Sequence, residues 1–198
     1  MKIQFFKYHG SGNDFILIDN RDKILAIDSD LIKKICHRKF GIGADGLIVL
    51  EGNNNLGFSM SHFNSDGKKS SFCANGSRCL VHFGNYINLF KKNQSFLSNG
   101  KKITGSCDKN FVTISMLDVK KIETDQNGYY ILNTGCLHLV VFTEKLQDVD
   151  VNYLGGEIRN LKEYQQNGIN VNFVEILENK ISIRTYERGV ESETLSCG

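Results

Sequence analysis

The chain has 198 residues, with 24 Lys and Arg against 22 Asp and Glu and a formal net charge of +2. So even a balance, with lysine pairs such as Lys33-Lys34, Lys91-Lys92 and Lys120-Lys121 that never grow into a block, argues for solvated faces and against nucleic-acid binding. No apolar run approaches a membrane span, and Met1-Lys2-Ile3-Gln4 alternates too early for a secretory leader, so a cytoplasmic protein with reduced thiols is expected.

Apolar alternation and β-branched or aromatic content predict strands at residues 3–8 and 15–19. Ser29 is read as the cap of a helix over 30–38, with Leu31, Ile32 and Ile35 on one face. Strands at 47–50 and 58–63 lead into a polar loop that ends at Cys73. A helix over 74–90 follows, its Cys79, Leu80, Phe83, Tyr86, Ile87 and Phe90 falling mostly on one broad face. Strands at 96–98, 102–107, 111–116, 129–134 and 137–142 come next, then a weaker helix within 151–161. A hairpin of 170–177 and 181–186 precedes the last polar run. Proline is absent, so the turns rest on Gly, Asn and Asp, as in 52–55 and 178–180.

Two segments carry the chemistry: Cys73-Ala74-Asn75-Gly76-Ser77-Arg78-Cys79, and the run from Glu187-Arg188-Gly189 to Ser196-Cys197-Gly198. Cys73 opens a helix, so its sulfur is placed among first-turn N–H groups at the positive end of the helix dipole. That setting lowers a thiol pKa and makes an anion site of the same spot. Asn64 lies nine residues before Cys73, and Arg188 nine before Cys197. The echo fits two related half-domains, residues 1–118 with the Cys73 block and 119–198 with the Cys197 block, whose cysteine loops meet face to face. The other cysteines are 36, 79, 107 and 136. Six is an even number, but the chain is too long to need disulfide staples, and the spacing offers no zinc site. Cys36 and Cys107 stand in apolar contexts and read as packing residues.

Lys7-Tyr8-His9-Gly10-Ser11-Gly12-Asn13-Asp14-Phe15, Phe40-Gly41-Ile42-Gly43-Ala44-Asp45-Gly46, Phe63-Asn64-Ser65-Asp66-Gly67 and Asn170-Val171-Asn172-Phe173 complete an ordered set with the two cysteine blocks. In that order and over the whole chain, the set resembles the diaminopimelate epimerase family of cofactor-independent amino-acid epimerases. The resemblance implies an α/β (α+β) fold of two pseudo-symmetric half-domains, each a curved, mainly antiparallel sheet around a central helix, the second incomplete. It implies catalytic thiols at Cys73 and Cys197 and substrate-binding residues at Asn13, Asn64, Asn170, Glu187 and Arg188. Substrate-carboxylate amides map onto Ala74, Asn75 and Gly198, and His138 and Glu187 fall at positions that tune the thiols. The partner implied is a small molecule, diaminopimelate, with no cofactor and no metal; a homodimer stays open.

The chemistry suits two thiols on its own terms. Inverting a Cα stereocentre without pyridoxal phosphate needs a base on one face and an acid on the other, and a thiolate and a thiol exchange roles when the reaction runs backwards. Three departures from the family stand out. Ala74 replaces a glycine, Cys136-Leu137-His138 stands where the family has Asn or Ser, Pro and His, and relatives continue past Cys-Gly. From the last, Cys197 is expected to titrate nearer an ordinary thiol than Cys73 does, and the apolar faces of strands 137–142, 170–177 and 181–186 to lie open. A related proline-racemase-like isomerase is the alternative enzyme, and a truncated remnant that only binds ligand or partner is the alternative from another class.

Overall fold

Residues 2–90, 92–109 and 111–197 are described by a computed structural model, in which the chain divides into two units, Met1–Met116 and Leu117–Cys197. In the first, β1 (Phe6–Gly10) turns back on β2 (Asn13–Asp19) through Ser11 and Gly12. Both turn residues have positive φ, 53° and 87°, as a two-residue hairpin turn demands. Helix α1 (Ser29–Cys36) carries the chain to β3 (Gly46–Asn53), parallel to β2, and β4 (Gly57–Asn64) pairs antiparallel with β3. Helix α2 (Ala74–Tyr86) crosses over to β5 (Gln94–Ser98), parallel to β4, and β6 (Lys101–Asp108) and β7 (Phe111–Ile114) follow antiparallel. The seven strands lie in chain order across one mainly antiparallel sheet.

The unbroken apolar runs Phe15-Ile16-Leu17-Ile18 and Leu47-Ile48-Val49-Leu50 reflect burial on both faces of β2 and β3. Ile16, Ile18, Leu47 and Val49 pack with Ile32 and Cys36 of α1. On the other side Ile48, Met60 and Phe15 close around Gly76 of α2. Each such fully buried aliphatic side chain stabilises the fold by roughly 1.5–3 kcal/mol.

Four sequence expectations are corrected in this unit. The cap of α1 is Asp28, whose Oδ1 accepts the Leu31 N–H at 2.8 Å, and Ser29 is already helical. The first strand runs Phe6–Gly10 and not 3–8, because its register is set by the Ser11-Gly12 turn. The last strand stops at Ile114, short of residue 116. Helix α2 ends at Tyr86, short of 90, because Asn88 takes φ 57° and the chain closes a Schellman motif: Leu89 N–H donates to Gly84 O at 2.8 Å and Asn88 N–H to Asn85 O at 3.1 Å. The reversal lays the Phe90 ring on Gly84, where a Cβ would come within 1.8 Å of the ring.

The second unit holds β8 (Ile122–Thr124), β9 (Tyr130–Asn133) and β10 (Leu137–Phe142), a 3-10 turn (Leu146–Asp148), and helices α3 (Val151–Arg159) and α4 (Lys162–Gln165). Strands β11 (Asn170–Leu177), β12 (Lys180–Glu187) and β13 (Ser192–Thr194) complete it. The sheet order is β13-β12-β11-β10-β9-β8, parallel only at β10 and β11. Helix α3 falls within the 151–161 window expected for it, and β8 and β13 are too short for an alternation signal to reveal. One face of the sheet, with Leu139, Val171, Phe173 and Tyr186, forms the core with Leu146, Val151 and Tyr164. The register His138↔Asn170 and Asn172↔Thr185 puts those residues on the opposite face, with Glu187 at the same end. The other end of that face shows Ile176, Ile181 and Ile183 at 69%, 64% and 54% exposure, whereas Leu139, Val171, Phe173 and Val174 of the strands expected to lie open are buried. Among the described residues no helix is long and apolar enough to cross a membrane.

Candidate active site

In the first unit the start of β2, the start of β3 and the end of β4 meet at one end of the sheet, through the register Phe15↔Gly46 and Gly46↔Asn64. The N-terminus of α2 arrives at the same end. Cys73 is the N-cap of α2: its Sγ accepts the Gly76 N–H at 3.3 Å and lies 4.0 Å from Asn13 Oδ1. A backbone donor on sulfur favours the thiolate over the thiol. Asn75 Nδ2 donates to the same Asn13 oxygen at 3.5 Å, and the Arg78 guanidinium donates to Asn75 Oδ1. Gly10 makes the approach of β1 to the helix feasible, since a Cβ there would meet the Asn75 carbonyl at 2.9 Å. Ala74 and Asn75, the first residues of α2, are buried. Asn64 ends β4 half-buried, and its backbone holds the turn to Gly67 and Lys68.

Asn13 is fixed by groups that the sequence reading did not single out. Its Nδ2 donates to Asp45 Oδ2 at 2.9 Å, and Arg38 bridges Asp45 Oδ1 at 2.6 Å and Asp14 Oδ1 at 2.8 Å. Lys7 adds an ion pair to Asp14 at 2.7 Å. Burial acts to raise the Asp14 pKa, but hydrogen bonds from Arg38, Lys7 and the Asp45 N–H outweigh it and hold the carboxyl well below the usual carboxylate range. The available signal was that each Gly-rich loop carries an aspartate.

In the second unit the site face is polar and buried. Asn170 Oδ1 accepts the Arg188 N–H at 2.9 Å, and Asn170 Nδ2 donates to Cys136 Sγ at 3.4 Å. The Cys136 sulfur stands 3.1 Å from His138 Nε2. Arg188 donates through Nη1 to Asn167 O at 2.6 Å, its stem crossing Gly168, where a Cβ would lie 2.3 Å from the Arg188 Cδ. Burial first, aided by the charge of Arg188, lowers the His138 pKa, so the imidazole is neutral at physiological pH. Cys197 follows β13 half-buried, outside regular structure. Burial, then Glu187 and Cys136, push its thiol up to about 12. The sequence reading set it only against Cys73, as the thiol nearer the ordinary value; removal from water beside a carboxylate carries it above that value. Gly198 lies outside the described residues. Among those described, no group of three or more His, Cys, Asp or Glu is placed to hold a metal ion.

Residues 5–117 match the family model described as diaminopimelate epimerase. The diaminopimelate epimerase of Flavobacterium psychrophilum is 44% identical over 199 residues, covering 99% of this chain and 77% of the relative. That decides the family. The chain belongs to the diaminopimelate epimerase family. The Campylobacter jejuni diaminopimelate epimerase is 39% identical, over 99% of this chain and 78% of its own. The fold is shared more widely: a Bacillus anthracis phenazine biosynthesis protein of the PhzF family superposes with a TM-score of 0.70 at 13% identity, covering all of this chain and 77% of that one.

Membership makes the chain an isomerase of the epimerase kind. Within the first unit the structure brings Cys73, Asn13 and Asn75 together, with Asn64 at the same sheet end. Within the second it gathers Asn170, Arg188 and His138 around Cys136, with Glu187 and Cys197 coupled through their charges. Cys36 and Cys79 are packing residues whose thiols burial pushes up to about 11 and about 12, while Cys107, read as packing, is only half-buried.

Proposed function

We propose that the chain interconverts LL-2,6-diaminopimelate and meso-diaminopimelate with two thiols and no cofactor or metal, a step toward lysine and cell-wall peptide in the cytoplasm. Cys73 as thiolate takes the α-proton from one face of Cα, and the Cys197 thiol gives a proton to the other; in reverse the roles exchange. The observation that carries this reading is the Cys73 sulfur at the N-cap of α2, accepting the Gly76 N–H at 3.3 Å beside Asn13 and Asn75. A thiol pushed up to about 12 at Cys197 suits the proton donor of the pair, since one proton must be held between two sulfurs.

The amides of Ala74, Asn75 and Gly198 take the α-carboxylate and stabilise the charge that grows as Cα becomes a carbanion. Each well-aimed donor of that kind contributes about 3–4 kcal/mol. Arg188 binds the distal carboxylate, Glu187 an ammonium, and Asn13, Asn64 and Asn170 complete the polar clamp. His138 and Glu187 tune the neighbouring thiols. Chiral chromatography after incubation with LL-diaminopimelate, meso-diaminopimelate, L-proline and trans-4-hydroxy-L-proline tests the reading. Interconversion of the two diaminopimelate isomers alone is expected; turnover of either proline, with diaminopimelate untouched, contradicts it.

A further inference from the structure

We infer that Asn172 is a positioning residue that fixes the tautomer of His138, so that Nε2–H points at the Cys136 sulfur and His138 acts in the site as a hydrogen-bond donor and never as a base. The orientation of the Asn172 amide is set by its surroundings. Its Nδ2 lies 2.9 Å from Leu139 O and 3.4 Å from Asn170 O, and its Oδ1 accepts the Thr185 hydroxyl at 3.0 Å. Turned over, the amide would set an oxygen 2.9 Å from a carbonyl oxygen. Asn172 therefore presents N–H to His138 Nδ1, at 3.2 Å. Nδ1 must then be the bare nitrogen, because a proton on it would face the amide hydrogens.

The neutral ring carries its proton on Nε2, which is the atom 3.1 Å from Cys136 Sγ. Thr185, Asn172, His138 and Asn170 are each more than nine-tenths buried, so no water competes for these bonds. The imidazolium would put N–H against N–H, and the positive charge of Arg188 acts against it as well. Cys136 itself has the Thr134, Asn170 and His138 side chains as hydrogen-bond partners and Arg188 and Glu187 as its charged neighbours. His138 thus cannot take the Cys136 proton, and a third thiol in the site stays silent. The consequence for catalysis, that proton traffic in this unit belongs to Cys197 alone, rests on the proposed function; the tautomer itself does not.

The test is a two-bond proton–nitrogen NMR correlation on the full chain labelled with 15N-histidine, near neutral pH and without substrate. His138 is expected to show the Nε2–H pattern; an Nδ1–H or imidazolium pattern overturns the inference. Asn172→Asp gives a second reading, since a carboxylate accepts from Nδ1–H and frees Nε2 to draw the Cys136 proton. Alkylation of Cys136 by iodoacetamide at pH 7, followed by peptide mass spectrometry, should then accelerate about tenfold or more. Adding His138→Gln, which cannot hold the proton, should return the rate to that of the unmodified chain. A folded Asn172→Asp variant with unchanged Cys136 reactivity contradicts the lock, and if that variant does not fold the NMR pattern of the unaltered chain decides. An Nε2–H signal in a chain that leaves diaminopimelate untouched would sink the epimerase reading and keep the lock.

Discussion

Cys73 and Cys197 reach opposite settings by local means. Cys73 caps a thirteen-residue helix and takes a backbone donor on its sulfur, whereas Cys197 lies half-buried after β13 with Glu187 as a neighbour. A raised thiol pKa keeps the proton on through neutral pH and gives it up only as pH climbs toward about 12. Iodoacetamide labelling of Cys197 in the free protein should therefore stay slow at pH 8 and rise without levelling through pH 10. A labelling rate that levels below pH 9 would show an acidic thiol and contradict the assignment. Asn13 depends on Asp45, which fixes its amide at 2.9 Å so that the oxygen faces Cys73 and Asn75. Replacing Asp45 by Ala removes a bond of about 0.5–1.5 kcal/mol and lets the amide turn. The expected outcome is a fall in kcat/KM of up to about tenfold; no change would show that Asn13 holds its place without Asp45.

At the scale of elements, legibility followed the number of faces a segment buries. The doubly buried runs at 15–18 and 47–50 and the alternating pairs at 170–177 and 181–186 declare themselves as strands. The end of α2 did not, because it depends on Asn88 adopting positive φ and on a fold-back onto Gly84 that apolar periodicity alone cannot show. Gly84→Ala should accordingly destabilise the protein by about 1–3 kcal/mol in denaturant unfolding, the clash with Phe90 outweighing the helix-propensity gain of about 1 kcal/mol. A variant as stable as the parent would mean that Phe90 moves aside freely. The open end of the second sheet gives a contrasting case. Ile181 and Ile183 are more than half exposed, so changing both to Thr keeps β propensity and removes only solvent-facing apolar area. Stability should change by less than about 1 kcal/mol while aggregation on concentration decreases; a large loss of stability would show that this face is packed.

Across the whole chain, the sequence motifs located both cysteine blocks and most of the polar residues near them, because each lies at a strand end or helix start that local sequence marks. The linkages among them were not legible. Asp45 is 32 residues from Asn13, and Asn172 is 34 from His138, and the parallel pairings β2–β3 and β10–β11 bring such positions side by side. The central claim, that one sulfur removes the α-proton and another returns a proton from solvent, meets its most direct test in deuterated water. The unaltered chain, Cys73→Ala and Cys197→Ala are each incubated with LL-diaminopimelate, and the meso product is examined by mass spectrometry. The expected result is one deuterium at the inverted Cα with the unaltered chain and a loss of product by several orders of magnitude in each variant. Product without deuterium, or undiminished turnover in either cysteine variant, would contradict the two-thiol mechanism.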